Sequence, residues 1–387
     1  MIGIRADANK IIATGHVMRC VTIAKELMTL GERVTFFVAD EESKGFTDSC
    51  LRDLAGAEVV VLGTSYDHME DELPVLEKEL SDRKCDGLLV DSYFVTRRYF
   101  QRLNRICPVA YMDDLGKEAY PVDLLINYNG FSGNLDYEHL YEGMKGHGDT
   151  TTKLLLGLKY APLRRQFYEQ DAHETPASDA KPLRILLASG GGDMHGMVLS
   201  TLEAAEKNGL LATEDNDGRH DPETCSTVWE VVLGSMASDA SQIEALAQHH
   251  SNIHINRNVT NMASLMRSCD LAVTAAGTML TECAAVHLPA IFFQVADNQK
   301  PNTDFWPTTG GMIFAGDVTG GDINNHSAKD NAIESICTSI KELYEAPDRL
   351  LTMKTALSGL TDGTGAIKIA NQLISLSQKP LPGGLDI

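Results

Sequence analysis

The amino-acid sequence predicts an α/β protein made of two Rossmann-like domains with parallel sheets, and three observations predict it. Short β-rich runs alternate with segments of helical period along the chain. That alternation breaks at the polar, proline-containing stretch 169–182 (EQDAHETPASDAKP) and then restarts. The length of 387 residues, 43% hydrophobic and 22% charged, describes an ordinary globular chain. It suits two domains of roughly 150–200 residues each. The expected division is therefore 1–168, a linker over 169–182, and 183–387.

Taken in order, the first run Ile2-Gly3-Ile4-Arg5 reads as a strand. After the turn Ala13-Thr14-Gly15-His16, the apolar positions Val17, Cys20, Val21, Ala24, Leu27 and Met28 recur at helical spacing. Further strands are expected at 33–39, 58–62, 87–92, 109–114, 124–127 and 154–157. Covering helices are expected at 42–55, 69–80 and 96–106. Beyond the linker, strands are expected at 183–189, 228–234, 253–257, 271–275, 290–295 and 312–315, with a helix from about His195 to Lys207. The acidic, polar segment 208–227 reads as a surface insertion.

Composition excludes several classes of function. A net charge of −21 argues against nucleic-acid or anionic-membrane binding through the surface field, so an anionic ligand must be held locally. No run approaches the roughly 18 apolar residues of a membrane span, and the opening residues lack the pattern of a signal peptide; a cytoplasmic protein is expected. Cys20, Cys50, Cys85, Cys107, Cys225, Cys269, Cys283 and Cys337 are scattered without metal-ligand spacing and read as reduced core thiols.

Chemistry concentrates where strands end. In open α/β sheets the ligand crevice lies beyond the carboxyl ends of the strands, where Asp7, Asp91-Ser92-Tyr93, Asp113-Asp114 and Asn127-Tyr128-Asn129 fall. Each Asp has the alternative role of capping the next helix. His16 lands at a helix start, where the helix dipole and free N–H groups favour an anion and a neutral imidazole. It is a candidate base, with a buried turn histidine as the plainer alternative.

In the second half, Gly190-Gly191-Gly192-Asp193 joins a strand to a helix and could let phosphate oxygens approach the backbone. A second small-residue turn runs through Ala276, Gly277 and Thr278 to Glu282. That carboxylate could hold a ribose diol or merely complete a capping box. Asn298 and Gln299 follow the strand at 290–295 and offer amides suited to sugar hydroxyls or a departing phosphate.

These motifs together carry a specific resemblance. The run Arg5-Ala6-Asp7-Ala8 through Gly15-His16-Val17-Met18-Arg19-Cys20 resembles the opening signature of the pseudaminic-acid pathway hydrolases. Those enzymes cleave UDP-2,4-diacetamido-2,4,6-trideoxy-β-L-altropyranose, and the spore-coat polysaccharide proteins are related to them. Later segments agree in order: Asp91-Ser92-Tyr93, Asp113-Asp114, 125–129, Tyr160-Ala161 with Arg164 and Phe167, Gly191-Gly192-Asp193, 276–282, Asn298-Gln299, and Asp362-Gly363 with Gly365-Ala366. Two positions depart from the family pattern, which has glycine at the place of Ala13 and often histidine at the place of Ser92. Both fall on the face expected to hold the sugar.

The resemblance implies a GT-B-like arrangement with an interdomain cleft, similar to that of the glycosyltransferase that adds N-acetylglucosamine in peptidoglycan synthesis. It implies that His16 is the catalytic base and that Arg5, Asp7, Gly15, Asp91, Tyr93, Asp113, Tyr160, Arg164, Asn298 and Gln299 contact the substrate. It further implies that Gly191, Gly192, Asp193, Ala276, Gly277, Thr278 and Glu282 hold the nucleotide. The expected reaction is attack of water at the anomeric carbon with departure of UDP and inversion. No cofactor and no metal are expected, because a diphosphate is already a good leaving group that oriented N–H donors can stabilise. Two alternatives share these motifs: a UDP-sugar-dependent glycosyltransferase of the same fold, and a UDP-sugar-binding protein without turnover. The expected partner is a small UDP-sugar, with a monomer as the plausible state.

Overall fold

The computed structural model describes residues 1–12, 14–52, 54–169, 182–189, 193, 195–211, 227–234, 239–319 and 327–377. Ala13, Gly191, Gly192, Cys225, most of the expected linker and most of the expected insertion lie outside these residues. The chain divides into two compact units. One comprises Met1–Arg164 together with the segment that starts at Gly363, and the other is Arg165–Asp362.

The first unit begins with β1 (Ile2–Ala6), α1 (Gly15–Thr29), β2 (Val34–Val38), α2 (Glu41–Leu51) and β3 (Glu58–Val61). It continues with α3 (Leu73–Asp82), β4 (Gly87–Asp91), α4 (Arg97–Leu103), β5 (Val109–Met112), β6 (Leu124–Asn127), α5 (Tyr137–Leu140) and β7 (Lys153–Leu156). Its seven described strands are parallel, in the order β3-β2-β1-β4-β5-β6-β7. Strands β1, β2, β4, β5 and β6 are buried along their whole length, as expected of parallel strands covered by helices.

Local chemistry explains the helix starts. Asp40 caps α2 by accepting the Ser43 amide at 2.7 Å, with Glu41 and Glu42 in the first turn to complement the dipole. Thr96 caps α4 through the Tyr99 amide. The helix expected over 69–80 is split: Met69–Glu72 forms a 3-10 turn, and α3 begins at Leu73. Pro74 accounts for this, because it has no N–H to donate to a preceding turn and a φ suited to the first positions of a helix.

The second unit contains β8 (Leu183–Ala188), α6 (Met197–Lys207), β9 (Thr227–Leu233), α7 (Ala240–His249), β10 (Ile253–Arg257) and α8 (Met262–Arg267). There follow β11 (Leu271–Ala275), α9 (Met279–Ala285), β12 (Ala290–Gln294), α10 (Lys300–Phe305), β13 (Met312–Asp317), α11 (Ser327–Glu345) and α12 (Pro347–Leu357). Its six described strands are also parallel, in the order β10-β9-β8-β11-β12-β13. The core is built on fully buried Trp229, with Leu187, Leu202, Val273, Phe293 and Ile336.

The last described helix, α13 (Gly365–Ser377), belongs to the first unit, so the division differs from the expected break into 1–168 and 183–387. It buries Ala366, Ile369, Ala370, Leu373 and Leu376 against α1, β4 and the 3-10 turn Leu158–Tyr160. Lys153 Nζ donates to Gln372 Oε1 at 2.6 Å. Composition at the end of the chain carried no sign of this return.

Candidate active site

Each sheet reverses its strand order once, between β1 and β4 in the first unit and between β8 and β11 in the second. At such a point the connections leave in opposite directions and open a crevice at the strands' carboxyl ends. In the first unit α1 begins just there. His16 lies in the first turn of α1 and is 8% exposed. The loop before it is shaped by Asn9, whose Oδ1 accepts the Ile11 and Ile12 amides at 2.8 and 2.9 Å.

Asp91, the last residue of β4 and 1% exposed, is the centre of the cluster. Its Oδ1 lies 2.6 Å from His16 Nδ1, and Arg19 grips both carboxylate oxygens, Nε to Oδ2 and Nη2 to Oδ1, each at 2.6 Å. Burial alone would raise the Asp91 carboxyl, but Arg19 and then His16 outweigh it and hold the group well below the usual carboxylate range. An ionised carboxylate only accepts, so His16 Nδ1 carries the hydrogen and the basic lone pair of the neutral ring is on Nε2. The cluster can therefore orient a histidine base.

Arg19 reaches further, through Nη1, to Asp114 Oδ2 at 2.9 Å and the Tyr128 hydroxyl at 3.0 Å. Asp114 also accepts from the Tyr93 hydroxyl at 3.0 Å and from Asn129 Nδ2 at 3.1 Å. The Tyr93 ring stands edge-on to His16 with centroids 4.7 Å apart, and Tyr93 is 45% exposed. Burial and then Asp114 push its phenol up, so it remains a hydrogen-bond donor at neutral pH.

Several residues expected to touch substrate are engaged inside the protein instead. Arg5 is fully buried: Nε and Nη2 fork onto Glu72 at 2.7 Å each and Nη1 binds Asp7 at 2.5 Å. Asp7 is 3% exposed and accepts the Ala39 amide at 2.7 Å, tying the end of β1 to that of β2. Neither has an edge left for a ligand. Asp91 orients His16 and is itself sealed. Asp113 is used by its own turn, taking the Leu115 and Gly116 amides and the Tyr137 hydroxyl, and burial pushes its carboxyl up. Its neighbour Asp114 faces Arg19, Tyr93 and Asn129 instead.

Gly15 is exposed, and a Cβ there would meet nothing within 4 Å, so the fold leaves open space above it. Tyr160 and Arg164 are half-buried and follow β7, the edge strand three places from β4. Asp114, Tyr128 and Asn129 were expected only as polar residues at strand ends, and Arg19 only as part of the opening signature, with no contact or role assigned to any of them. The available signal was position: Arg19 lies one helical turn after His16, and the other three stand at strand ends.

In the second unit, Ala276, Gly277 and Thr278 follow β11 at the second reversal of strand order. Ala276 is fully buried, and its carbonyl accepts from Asn302 Nδ2 at 2.9 Å. Glu282 is half-buried in the first turn of α9. Asn298 is exposed, whereas Gln299 Oε1 accepts the Val295 amide at 2.9 Å. Asp193, expected at the nucleotide, serves the helix instead. Its carboxylate accepts the Met197 and Val198 amides at 2.9 and 3.0 Å, so the start of α6 already holds an anion of the chain's own.

Among the described residues no three His, Cys, Asp or Glu side chains come together as metal donors, and no helix is long and apolar enough to cross a membrane. The seven described cysteines are free thiols.

No family model matches the sequence. Among curated proteins, it is 23% identical over 308 residues to an uncharacterized protein of Methanocaldococcus jannaschii, covering 77% of this chain and 56% of that protein, so it spans little more than half of that relative. It is 20% identical to the spore coat polysaccharide biosynthesis protein SpsG of Bacillus subtilis, over 81% of this chain and 83% of that one. It is 19% identical to the UDP-2,4-diacetamido-2,4,6-trideoxy-beta-L-altropyranose hydrolase of Campylobacter jejuni, over 72% and 85%.

Among solved structures, MurG of Acinetobacter baumannii superposes with a TM-score of 0.63 at 12% identity, covering 97% of this chain and 99% of that one. The chain has a two-domain, GT-B-like α/β fold. MnaA of S. aureus, solved with UDP, superposes with a TM-score of 0.57 at 13% identity and 99% coverage of both chains.

Proposed function

We propose that this chain is a nucleotide-sugar hydrolase that releases UDP from a UDP-2,4-diacetamido-2,4,6-trideoxyhexose, in the making of nonulosonic acids or related surface polysaccharides. The observation that carries the reading is the pairing of His16 Nδ1 with buried Asp91, which makes Nε2 the base nitrogen at the strand-order reversal. His16 Nε2 takes a proton from water as the water oxygen attacks the anomeric carbon. The bond from that carbon to the diphosphate oxygen breaks, UDP leaves with the electron pair, and the sugar keeps the new hydroxyl with inverted configuration. The proton then passes from His16 to solvent. Gly277, Thr278, Glu282 and Asn298 of the second unit are assigned to the UDP moiety and the leaving group; Tyr93, Gly15, Tyr160 and Arg164 are assigned to the sugar.

A UDP-sugar-dependent transferase would use the same base on a sugar hydroxyl in place of water. Support for the hydrolase reading comes from the length of the match, 282 residues at 19% identity to the Campylobacter hydrolase against 160 residues at 28% identity to a Synechococcus N-acetylglucosamine transferase.

Hydrolysis in ¹⁸O-water tests the reading. Label is expected in the sugar and none in UDP, without added acceptor, and His16→Asn should bind substrate normally but turn over about 10²- to 10⁴-fold more slowly. Label in UDP, an undiminished His16→Asn variant, or UDP release only when an acceptor sugar is supplied would each overturn it.

A further inference from the structure

We infer that Arg19 is a positioning residue that, by its grip on Asp91, fixes the orientation of His16 and opposes its protonation. The inference rests on the reading of His16 as the base. Five polar contacts converge on one guanidinium: two to Asp91, one to Asp114, one to the Tyr128 hydroxyl, and an approach of Nη2 to His16 Nδ1 at 3.2 Å. A guanidinium cannot accept a hydrogen bond, and Nδ1 already donates to Asp91, so this last contact is donor against donor. Both nitrogens share a single acceptor, Asp91 Oδ1.

The charges follow from this geometry. Asp91 and Tyr93 from the end of β4 and Arg19 from α1 contact the imidazole, the Cys20 thiol of α1 lies on Asp91, and Asp114 from the loop after β5 and Tyr128 from the loop after β6 are joined to the cluster through Arg19. Arg19 offsets one of the two carboxylates, leaving a net −1 beside His16. Without it, Asp91 and Asp114 would together favour the imidazolium, which has no lone pair to take a proton from water. With it, the positive charge beside Nδ1 opposes a second proton while the fork on Asp91 holds the ring's orientation.

The sign of the effect can be read in two directions on the full chain, by ¹⁵N NMR of labelled histidine. His16 is identified among the 12 histidines by the signals lost in His16→Asn. The neutral ring of the native protein should carry its hydrogen on Nδ1. In Arg19→Gln the midpoint of the His16 titration should rise by about 1–3 pH units, and in Asp114→Asn it should fall. Arg19→Lys, which keeps the charge and loses the fork, should stay nearer the native midpoint. Should Arg19→Gln fail to fold, the direction of the Asp114→Asn shift decides. A neutral ring with hydrogen on Nε2, or midpoints that do not move in opposite directions, overturns the inference. UDP release is assayed separately: opposite shifts in a protein that cleaves no UDP-sugar would remove the proposed function and leave the role of Arg19 standing, and the reverse pattern would remove the role alone.

Discussion

At the scale of single residues, one buried carboxylate does the organising. Asp91 accepts from His16 Nδ1 and from one edge of Arg19, so its charge is stabilised in the folded state and unsupported in the unfolded chain. Its folded carboxyl lies below the ordinary value, so this stabilisation is fully present above the usual carboxylate range and is lost as pH falls through it. Asp91→Asn leaves Arg19 short of a partner and should cost about 3–5 kcal/mol near pH 7. That gap should narrow below about pH 4, where the unfolded carboxyl protonates. Urea unfolding of both proteins at pH 7 and pH 3 measures it; a gap that is the same at both values would show that Asp91 is not held as an ion. At this scale the sequence was least legible. His16 announced itself by following a glycine turn, but Asp113 and Asp114 are neighbours with opposite fates, one consumed by a turn and one set beside Tyr93 and Arg19. Arg5 looked like a ligand residue because nothing in a one-dimensional pattern reveals that Glu72, 67 residues away, closes over it.

Elements were read more securely, because period and burial are local. The runs at 124–127, 253–257 and 271–275 match the observed strands β6, β10 and β11 end for end. The misreading of α3 came from Pro74, which moves a helix start without changing its apolar spacing. The most demanding contact between elements is at the start of α13, where a Cβ on Gly365 would stand 2.1 Å from the Ala161 carbonyl oxygen and 2.4 Å from the Tyr160 carbonyl carbon. Backbone cannot yield there as a side-chain tip would. Gly365→Ala should therefore destabilise the protein by about 1–3 kcal/mol through overpacking. Since α13 lies on α1, it should also lower turnover, by disturbing the helix that carries His16 and Arg19. Unchanged unfolding midpoints in thermal and urea melts would mean that the two backbones are not in contact.

For the whole molecule, the sequence disclosed two sheets and their parallel sense but not the ownership of the last helix. The apolar stripe of α13 looks the same whichever unit it covers, and only the folded chain shows Ile369 and Leu373 buried in the first. A chain ending at Asp362 should thus suffer at the opposite end of the sequence. Hydrogen exchange should show lost protection in α1 and β4, with β8, β9 and β11 still protected. Equal loss in both sheets, or none, would contradict the assignment of α13.

The return of α13 also sets an order in time. Arg165–Asp362 is continuous, so all of it is available as soon as its last residue emerges from the ribosome. The first unit is interrupted by the 198 positions of Arg165–Asp362. At roughly 5–20 residues per second, those positions take about 10–40 s to synthesise. Throughout that interval the nascent first sheet and its α1 lack the covering of α13, and the unit begun first is the one completed last.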